Sequence, residues 1–274
     1  MSDERFLREL VDFGHGLLDE TDAIALRHFD AGVAPTRKPD RTFVTRADTE
    51  VEQRLRERIA GRYPDHGIAG EEYGSDGAGA EIGWIVDPID ATHNFMRGIP
   101  IFATLVAVRL ADRLAVGLVS APALGERWWA AAGMGAHRRR GATEQPIRVS
   151  SVARLADAQL VFGSAAALDG RVPDLARASW RDRGFGDFWG HMLVAGGSAE
   201  AMLEDGVSEW DVAAPHVIVR EAGGRMTDLD GRDTSTAQRI VTSNGAVHDE
   251  LLERIARMGR DLAVPTSTPY ERNS

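Results

Sequence analysis

Asp87 and Asp90, three residues apart and followed by the hydroxyl of Thr92, are the side chains of this sequence best suited to chemistry. They lie in the stretch Trp84-Ile85-Val86-Asp87-Pro88-Ile89-Asp90-Ala91-Thr92-His93-Asn94-Phe95. Apolar Trp84, Ile85 and Val86 predict a buried strand that stops at Asp87, because Pro88 withholds a backbone donor and keeps the residue before it extended. Asp90 is then placed to cap a helix beginning just after it, whose first backbone N–H groups open into the space that Asp87 faces. A helix N-terminus attracts phosphate, whereas two carboxylates repel it. One site can use both only if cations lie between them. Mg2+ held by carboxylate oxygens, with a substrate phosphate bridging metal and backbone donors, resolves that conflict. The same residues also suit a plain Asp-Pro turn with an aspartate cap, so other segments must decide between the two.

Three further segments carry acidic candidates. Asp48 ends Val44-Thr45-Arg46-Ala47-Asp48, just ahead of a helical pattern through Val51, Leu55 and Ile59. Thr45 or Asp48 would cap that helix, with Glu50 and Glu52 in its first turn. Glu71 and Glu72 follow Ile68-Ala69-Gly70, a short strand entering a glycine-rich loop over 74–79, where glutamates are ordinarily solvated. Asp211, in Trp210-Asp211-Val212-Ala213-Ala214, opens a helix that runs to Glu221 and is ended by Gly223-Gly224.

The elements that must position these groups follow from periodicity. Phe6, Leu7, Leu10, Val11, Leu17, Leu18, Ile24 and Leu26 predict one long N-terminal helix or two short ones. Strands are expected over 101–110, 114–120, 126–132 and 160–163, and shorter ones over 225–229 and 240–242. The Arg138-Arg139-Arg140 run reads as a solvated hairpin tip. Helices are expected over 174–180, through Met192, Leu193, Val194, Ala201 and Met202, and over 249–258. A boundary near 142–150 divides the chain into an N-terminal α+β half, 1–145, with most of the candidate ligands, and a C-terminal α/β half, 146–265, with Asp211. The polar residues 266–274 form a frayed tail.

Composition narrows the field. A chain of 274 residues with 43% apolar content can bury a substantial core. Its net charge of −10 argues against nucleic-acid and anionic-membrane partners. The absence of cysteine excludes thiol nucleophiles, disulfides and cysteine zinc sites. A charged N-terminus, Met1-Ser2-Asp3-Glu4-Arg5, is unlike a signal peptide and no apolar run reaches the ~18 residues of a membrane span, so a cytoplasmic protein is expected. The sequence holds no Walker phosphate loop, no G-x-S-x-G elbow and no H-E-x-x-H helix. Of the scattered histidines, His93 alone sits beside the central stretch.

Taken together, the blocks 44–48, Gly70-Glu71-Glu72, 87–95 and 210–214, with Glu221-Ala222-Gly223-Gly224 behind, resemble the lithium-sensitive, Mg2+-dependent phosphatases typified by inositol monophosphatase, in order and in spacing. The resemblance implies a layered α-β-α-β-α sandwich, a homodimer, and two or three Mg2+ per site. It places one ion on Glu71, Asp87 and the carbonyl of Ile89, and a second on Asp87, Asp90 and Asp211. It makes Asp48 and Thr92, with help from Glu71, the groups that orient and deprotonate the attacking water, and puts the phosphate against Ala91 and Thr92. No phosphoenzyme is expected, since aspartyl-phosphate chemistry uses an Asp-x-Asp pair and the spacing here is Asp-x-x-Asp.

One position departs from the family pattern, which has Gly-Thr after the second aspartate where this chain has Ala91-Thr92. Alanine keeps its N–H, but at positive φ it costs on the order of 1 kcal/mol relative to glycine. A fold relative with poor catalysis and an interaction role is therefore the alternative class. For substrate, the segments 119–131, Gly186-Asp187-Phe188 and 219–225 are most similar to the branch that hydrolyses histidinol phosphate. Asp187 and Glu204 would suit its cationic amine or imidazolium, although a helix cap and a solvated helix end explain them equally well. Inositol 1-phosphate and sugar phosphates are the runner-up substrates. A nucleotide bisphosphate lacks a basic cluster for its second phosphate.

Overall fold

The computed structural model describes residues 2–32, 36–37, 43–77 and 79–261. The apolar N-terminal pattern forms one helix, α1 (Ser2–Ala31), and a second, α2 (Arg46–Arg62), packs beside it. Between them two short strands, β1 (Thr36–Arg37) and β2 (Phe43–Val44), pair antiparallel. The first large sheet is then laid down by β3 (Gly67–Gly70), β4 (Gly74–Asp76) and β5 (Ile82–Asp90) and, after the short helix α3 (Thr92–Met96), by β6 (Ala103–Leu110), β7 (Arg113–Ala121), β8 (Glu126–Ala131), β9 (Ala136–Arg140) and β10 (Thr143–Ile147). Its order is β10-β9-β8-β7-β6-β5-β3-β4, antiparallel except where β3 pairs with β5.

The rest of the chain supplies β11 (Gln159–Phe162), α4 (Ala167–Gly170), α5 (Val172–Ala178), β12 (Arg181–Arg183), α6 (Asp187–Ala195), β13 (Ala201–Asp205), α7 (Glu209–Glu221), β14 (Arg225–Thr227), β15 (Arg239–Ser243) and α8 (His248–Asp261). The second sheet runs β12-β11-β13-β15-β14. Helices α1 and α2 cover the outer face of the large sheet, α6 and α7 lie between the sheets, and α4 and α8 cover the far side of the small one. This is the expected layered α-β-α-β-α sandwich. Helix α7 is buried over its whole middle, from Val212 to Val219, because it faces a sheet on either side. It lies so close to β7 that a Cβ on Gly117 would be 2.5 Å from the Ala214 carbonyl oxygen. That contact sets the height of Asp211 above the large sheet.

Several local expectations need correction. Strand β5 does not stop at Asp87 but runs through Pro88 to Asp90, with one extra residue bulged out against β6 between Asp87 and Asp90. The bulge needs no ladder donor from Pro88, and the Pro88 carbonyl accepts from the Thr104 hydroxyl at 2.9 Å. Ala201 and Met202 belong to β13 and not to the helix before them, which ends at Gly196-Gly197 with Gly197 at φ 72°. Arg138 and Arg139 lie within β9 and only Arg140, its last residue, borders the turn at 141–142, where it pairs with the buried Glu126 at 3.2 Å. The tail 266–274 and Lys38-Pro39-Asp40-Arg41-Thr42 lie outside the described residues.

Candidate active site

The bulge in β5 explains how Asp87 and Asp90 can act together. Residues three apart on a regular strand face opposite sides of the sheet, and one inserted residue returns the second to the side of the first. Both carboxylates are buried, and one oxygen from each of Asp87, Asp90 and Asp211 lies within 4.8 Å of the others. Asp90 is not the helix cap expected of it. Its Oδ2 instead accepts the Phe188 N–H at 2.7 Å, which ties the end of β5 to the start of α6, while residue 91 takes the N-cap position of α3.

Asp48 and Asp211 reach the site by the same device. Each is the third residue of its helix and folds one oxygen back onto the cap. Asp48 Oδ2 accepts from the Thr45 N–H at 2.8 Å and the Thr45 hydroxyl at 2.5 Å, and Asp211 Oδ2 accepts from the Ser208 N–H at 2.7 Å. Among the described residues Asp48 Oδ1 has no hydrogen-bond partner, and neither has Asp87 Oδ1. Capping therefore does explain Asp48 locally, but it uses only one of the two oxygens.

These carboxylates stand in one another's field. Burial, then Glu71, Asp90 and Asp211, push the Asp87 carboxyl well above the usual carboxylate range. Burial, then Asp187 and Asp211, do the same to Asp90, against the opposing hydrogen bond from Phe188. Burial is the main cause again for Asp48, raised to about 6, and for Asp211, raised to about 7. Glu71, Asp87, Ile89, Asp90, Ala91, Thr92, Asp187, Glu204 and Asp211 all line one cavity of about 190 Å3, joined by His93 and Asp205. Asp48 is not among the residues lining it, but its carboxylate is near enough to add to the field on Asp87. Among the described residues no lysine or arginine lines this hollow. A larger one of about 350 Å3 beside α7 carries Arg113 and Arg220 among its acids. Buried carboxylate oxygens of Asp87, Asp90 and Asp211 brought within 4.8 Å of one another, with Asp87 Oδ1 lacking a hydrogen-bond partner among the described residues, form a hard-oxygen donor set that fits divalent cations.

Ala91 sits at φ 65°, ψ 44°, the left-handed region where an L-residue is strained. The backbone has little choice, because Phe95 of α3 is locked into the core with its ring 4.7 Å from that of Phe102. Ala91→Gly is expected to stabilise the fold by about 0.5–1 kcal/mol. The check is a thermal melt, read beside phosphate release, which is expected to stay within about threefold because the N–H is retained. Turnover that appears only in Ala91→Gly would establish the poorly catalytic alternative.

The substrate-side candidates form a second buried group. Glu204 lies on β13 and not at a solvated helix end. Its Oε1 accepts the Asp187 N–H at 2.9 Å and its Oε2 meets His191 Nε2 at 3.0 Å, while His191 Nδ1 meets the Thr242 hydroxyl at 3.0 Å. Asp187 is the first residue of α6, not its cap, and is also held at positive φ, 55°. Burial, then Glu204, raise its carboxyl to about 6. Sequence reasoning missed His191, though its place one helical turn after Asp187 was a signal available to it. It also placed Glu52 only as a first-turn acid of α2, with no part in the site, whereas Glu52 is fully buried. Thr92 gives its hydroxyl proton to the Ile89 carbonyl at 3.0 Å, so that oxygen is left to accept from whatever enters the cavity.

Comparison with known proteins agrees with this geometry. The model of the inositol monophosphatase family matches residues 21–260. A histidinol-phosphatase of Streptomyces coelicolor is 42% identical over 250 residues, covering 87% of this chain and 93% of the relative. One of Mycobacterium tuberculosis is 43% identical over 246 residues, covering 87% and 95%. Among solved structures, the IMPase of Thermotoga maritima superposes with a TM-score of 0.84 at 28% identity, over 93% of this chain and 100% of that one.

Proposed function

The chain belongs to the inositol monophosphatase family and is a phosphomonoester hydrolase, and on that premise we propose that it hydrolyses histidinol phosphate with the help of Mg2+. The observation that carries the reading is the convergence of Asp87, Asp90 and Asp211 oxygens in a hollow that, among the described residues, no lysine or arginine lines. Glu71, Asp87 and the Ile89 carbonyl would hold one ion, Asp87, Asp90 and Asp211 a second, with room in the family pattern for a third. When bound, Mg2+ supplies the positive charge that phosphate binding, water deprotonation and the leaving oxygen all require.

The chain's own residues do the rest. Asp48 is the general base: Oδ2 is committed to Thr45, and Oδ1 is the oxygen that takes a proton from water. The Thr92 hydroxyl, its proton given to Ile89, accepts from that water and orients it, and Glu71 assists from the cavity wall. Water oxygen bonds to phosphorus, the P–O bond to the substrate alcohol breaks, and the proton that Asp48 took from the water returns through solvent to the departing alkoxide, giving inorganic phosphate and histidinol. Asp187 and Glu204 receive the cationic end of the substrate, because a paired acidic wall favours an amine or imidazolium over a neutral polyol. The similarity to two histidinol-phosphatases supports that choice, and the family model and the Thermotoga IMPase support inositol 1-phosphate as the second reading. The working unit is a homodimer, which sedimentation velocity checks. Among the described residues no helix is long and apolar enough to cross a membrane.

Phosphate release with Mg2+ from histidinol phosphate, inositol 1-phosphate, fructose 1,6-bisphosphate and adenosine 3′,5′-bisphosphate tests the substrate. Histidinol phosphate is expected to have the highest kcat/KM by about tenfold or more. A higher value for inositol 1-phosphate would overturn the substrate and leave the phosphatase standing.

A further inference from the structure

We propose that Glu52 is a positioning residue for the cation site, fixing the turn that presents Glu71; this rests on the reading that Glu71 holds a metal. Glu52 follows Asp48 by four residues, so both project from one face of α2, a single turn apart. It is fully buried, although glutamates ordinarily reach solvent. Its Oε2 accepts the N–H of Glu72 at 2.8 Å, and its Oε1 accepts the N–H of Tyr73 at 3.2 Å. These are the two residues after Glu71, where the chain reverses between β3 and β4. Arg56, a further turn along α2, donates to Oε1 at 2.8 Å, reaches Asp76 at 2.7 Å and also holds the Gly74 carbonyl.

The carboxylate is pressed against the chain just before Glu71. A Cβ on Gly70 would lie 2.3 Å from Glu52 Oε1, so only glycine fits there while Glu52 keeps its place. The hairpin beyond is solvent-exposed along β4, is paired to β3 from Ile68–Asp76 to Gly70–Gly74, and meets α2 through Glu52 and Arg56. Helix α2 therefore carries the general base of the proposed reaction and, four residues later, the clamp on a ligand-bearing turn. Movement of Glu71 relative to Asp48 requires the Glu52 hydrogen bonds to break. A carboxylate serves because both oxygens face donors. The amide of a glutamine, similar in shape, would turn an NH2 group against a backbone N–H or against Arg56.

Glu52→Gln is the test, with Gly70→Ala as a second variant that displaces the same carboxylate from the other side. Exposed Glu57→Gln on the same helix and Glu71→Gln serve as controls. Three quantities are read: the Mg2+ concentration for half-maximal phosphate release, the rise in Tm on adding Mg2+, and amide exchange at Glu72 and Tyr73 in EDTA. Glu52→Gln and Gly70→Ala are expected to raise the half-maximal Mg2+ about 10–100-fold, the range seen when partners that orient a metal ligand are removed. Their kcat at saturating Mg2+ should stay within about threefold. The Mg2+-induced Tm rise should shrink, and exchange at residues 72 and 73 should quicken while the amides of α2 stay protected. Glu57→Gln should change none of these. Unchanged Mg2+ dependence in both Glu52→Gln and Gly70→Ala, with Glu71→Gln impaired, would overturn the inference alone. Unchanged dependence in Glu71→Gln would overturn the metal role of Glu71 itself.

Discussion

In EDTA, Asp87→Asn is expected to melt about 2–6 °C above the natural protein, at roughly 2 °C per kcal/mol for a chain of this size, while its Mg2+-supported hydrolysis falls by about a thousandfold or more. Both effects have one cause. Asp87 is buried among Glu71, Asp90, Asp211 and Asp48, and its Oδ1 has no hydrogen-bond partner among the described residues. Without a cation the fold holds like charges together away from water, and a neutral amide of the same shape removes one of them. The asparagine NH2 also provides a donor for the neighbouring Asp211 carboxylate. The sign with pH follows. A carboxyl raised in the folded state binds its proton more tightly there than in the unfolded chain, so the native fold loses stability as pH rises above the ordinary carboxylate value near 4. The gap in Tm between variant and natural protein should therefore widen from pH 4 upward in EDTA. Adding Mg2+ should reverse the order. The natural protein gains RT ln(1 + [Mg2+]/Kd) from binding, and the variant gains little. A variant that melts lower than the natural protein in EDTA would mean that Asp87 serves packing and not a cation.

How far the sequence foretold this arrangement depended on whether a residue's partners were near it in the chain. Asp48 and Asp211 are legible as site residues through the resemblance of the blocks 44–48 and 210–214, and the structure puts each at the third position of a helix with its cap three residues behind. The layer order came from the resemblance to the inositol monophosphatase family, while periodicity supplied the helices and strands that fill the layers. Asp90 was legible as a site residue but not in its local role. Its partner is the Phe188 N–H, 98 residues away, and its direction is set by a bulge that Pro88 disguised as a strand end. Glu204 was legible as a substrate-side candidate but not in its element, since a solvated helix end explained it equally well. Its burial on β13 goes with partners in α6, the Asp187 N–H and His191, 17 and 13 residues before it. The role of Glu52 was not legible, since the N–H donors it accepts from lie in a turn some twenty residues on. The strain at Ala91 was conditional on a φ angle that only the packing of Phe95 decides.

Asp48→Asn should lower kcat by about 10^2 to 10^4, the usual weight of a general base, while the Mg2+ concentration for half-maximal activity moves by no more than about threefold. The substitution separates two jobs that share one side chain. The cap needs only an acceptor, and an asparagine carbonyl in place of Oδ2 still accepts from the Thr45 N–H and hydroxyl, so α2 keeps its start. The other position becomes an NH2 group, which cannot take a proton from water. Melting should accordingly stay within about 2 °C of the natural protein, because one buried charge is removed and one cap is retained. Glu52, and with it the height of the Glu71 turn, is untouched, so the metal ligands keep their places. Asp48→Ala offers the contrast: it loses the cap as well and should cost about 1 kcal/mol of stability beyond the loss of turnover. An Asp48→Asn protein with kcat intact would move the base elsewhere, to Glu71 first. One in which kcat and Mg2+ affinity fall together would make Asp48 a ligand, and the oxygen that projects past its cap would then face a cation and not a water.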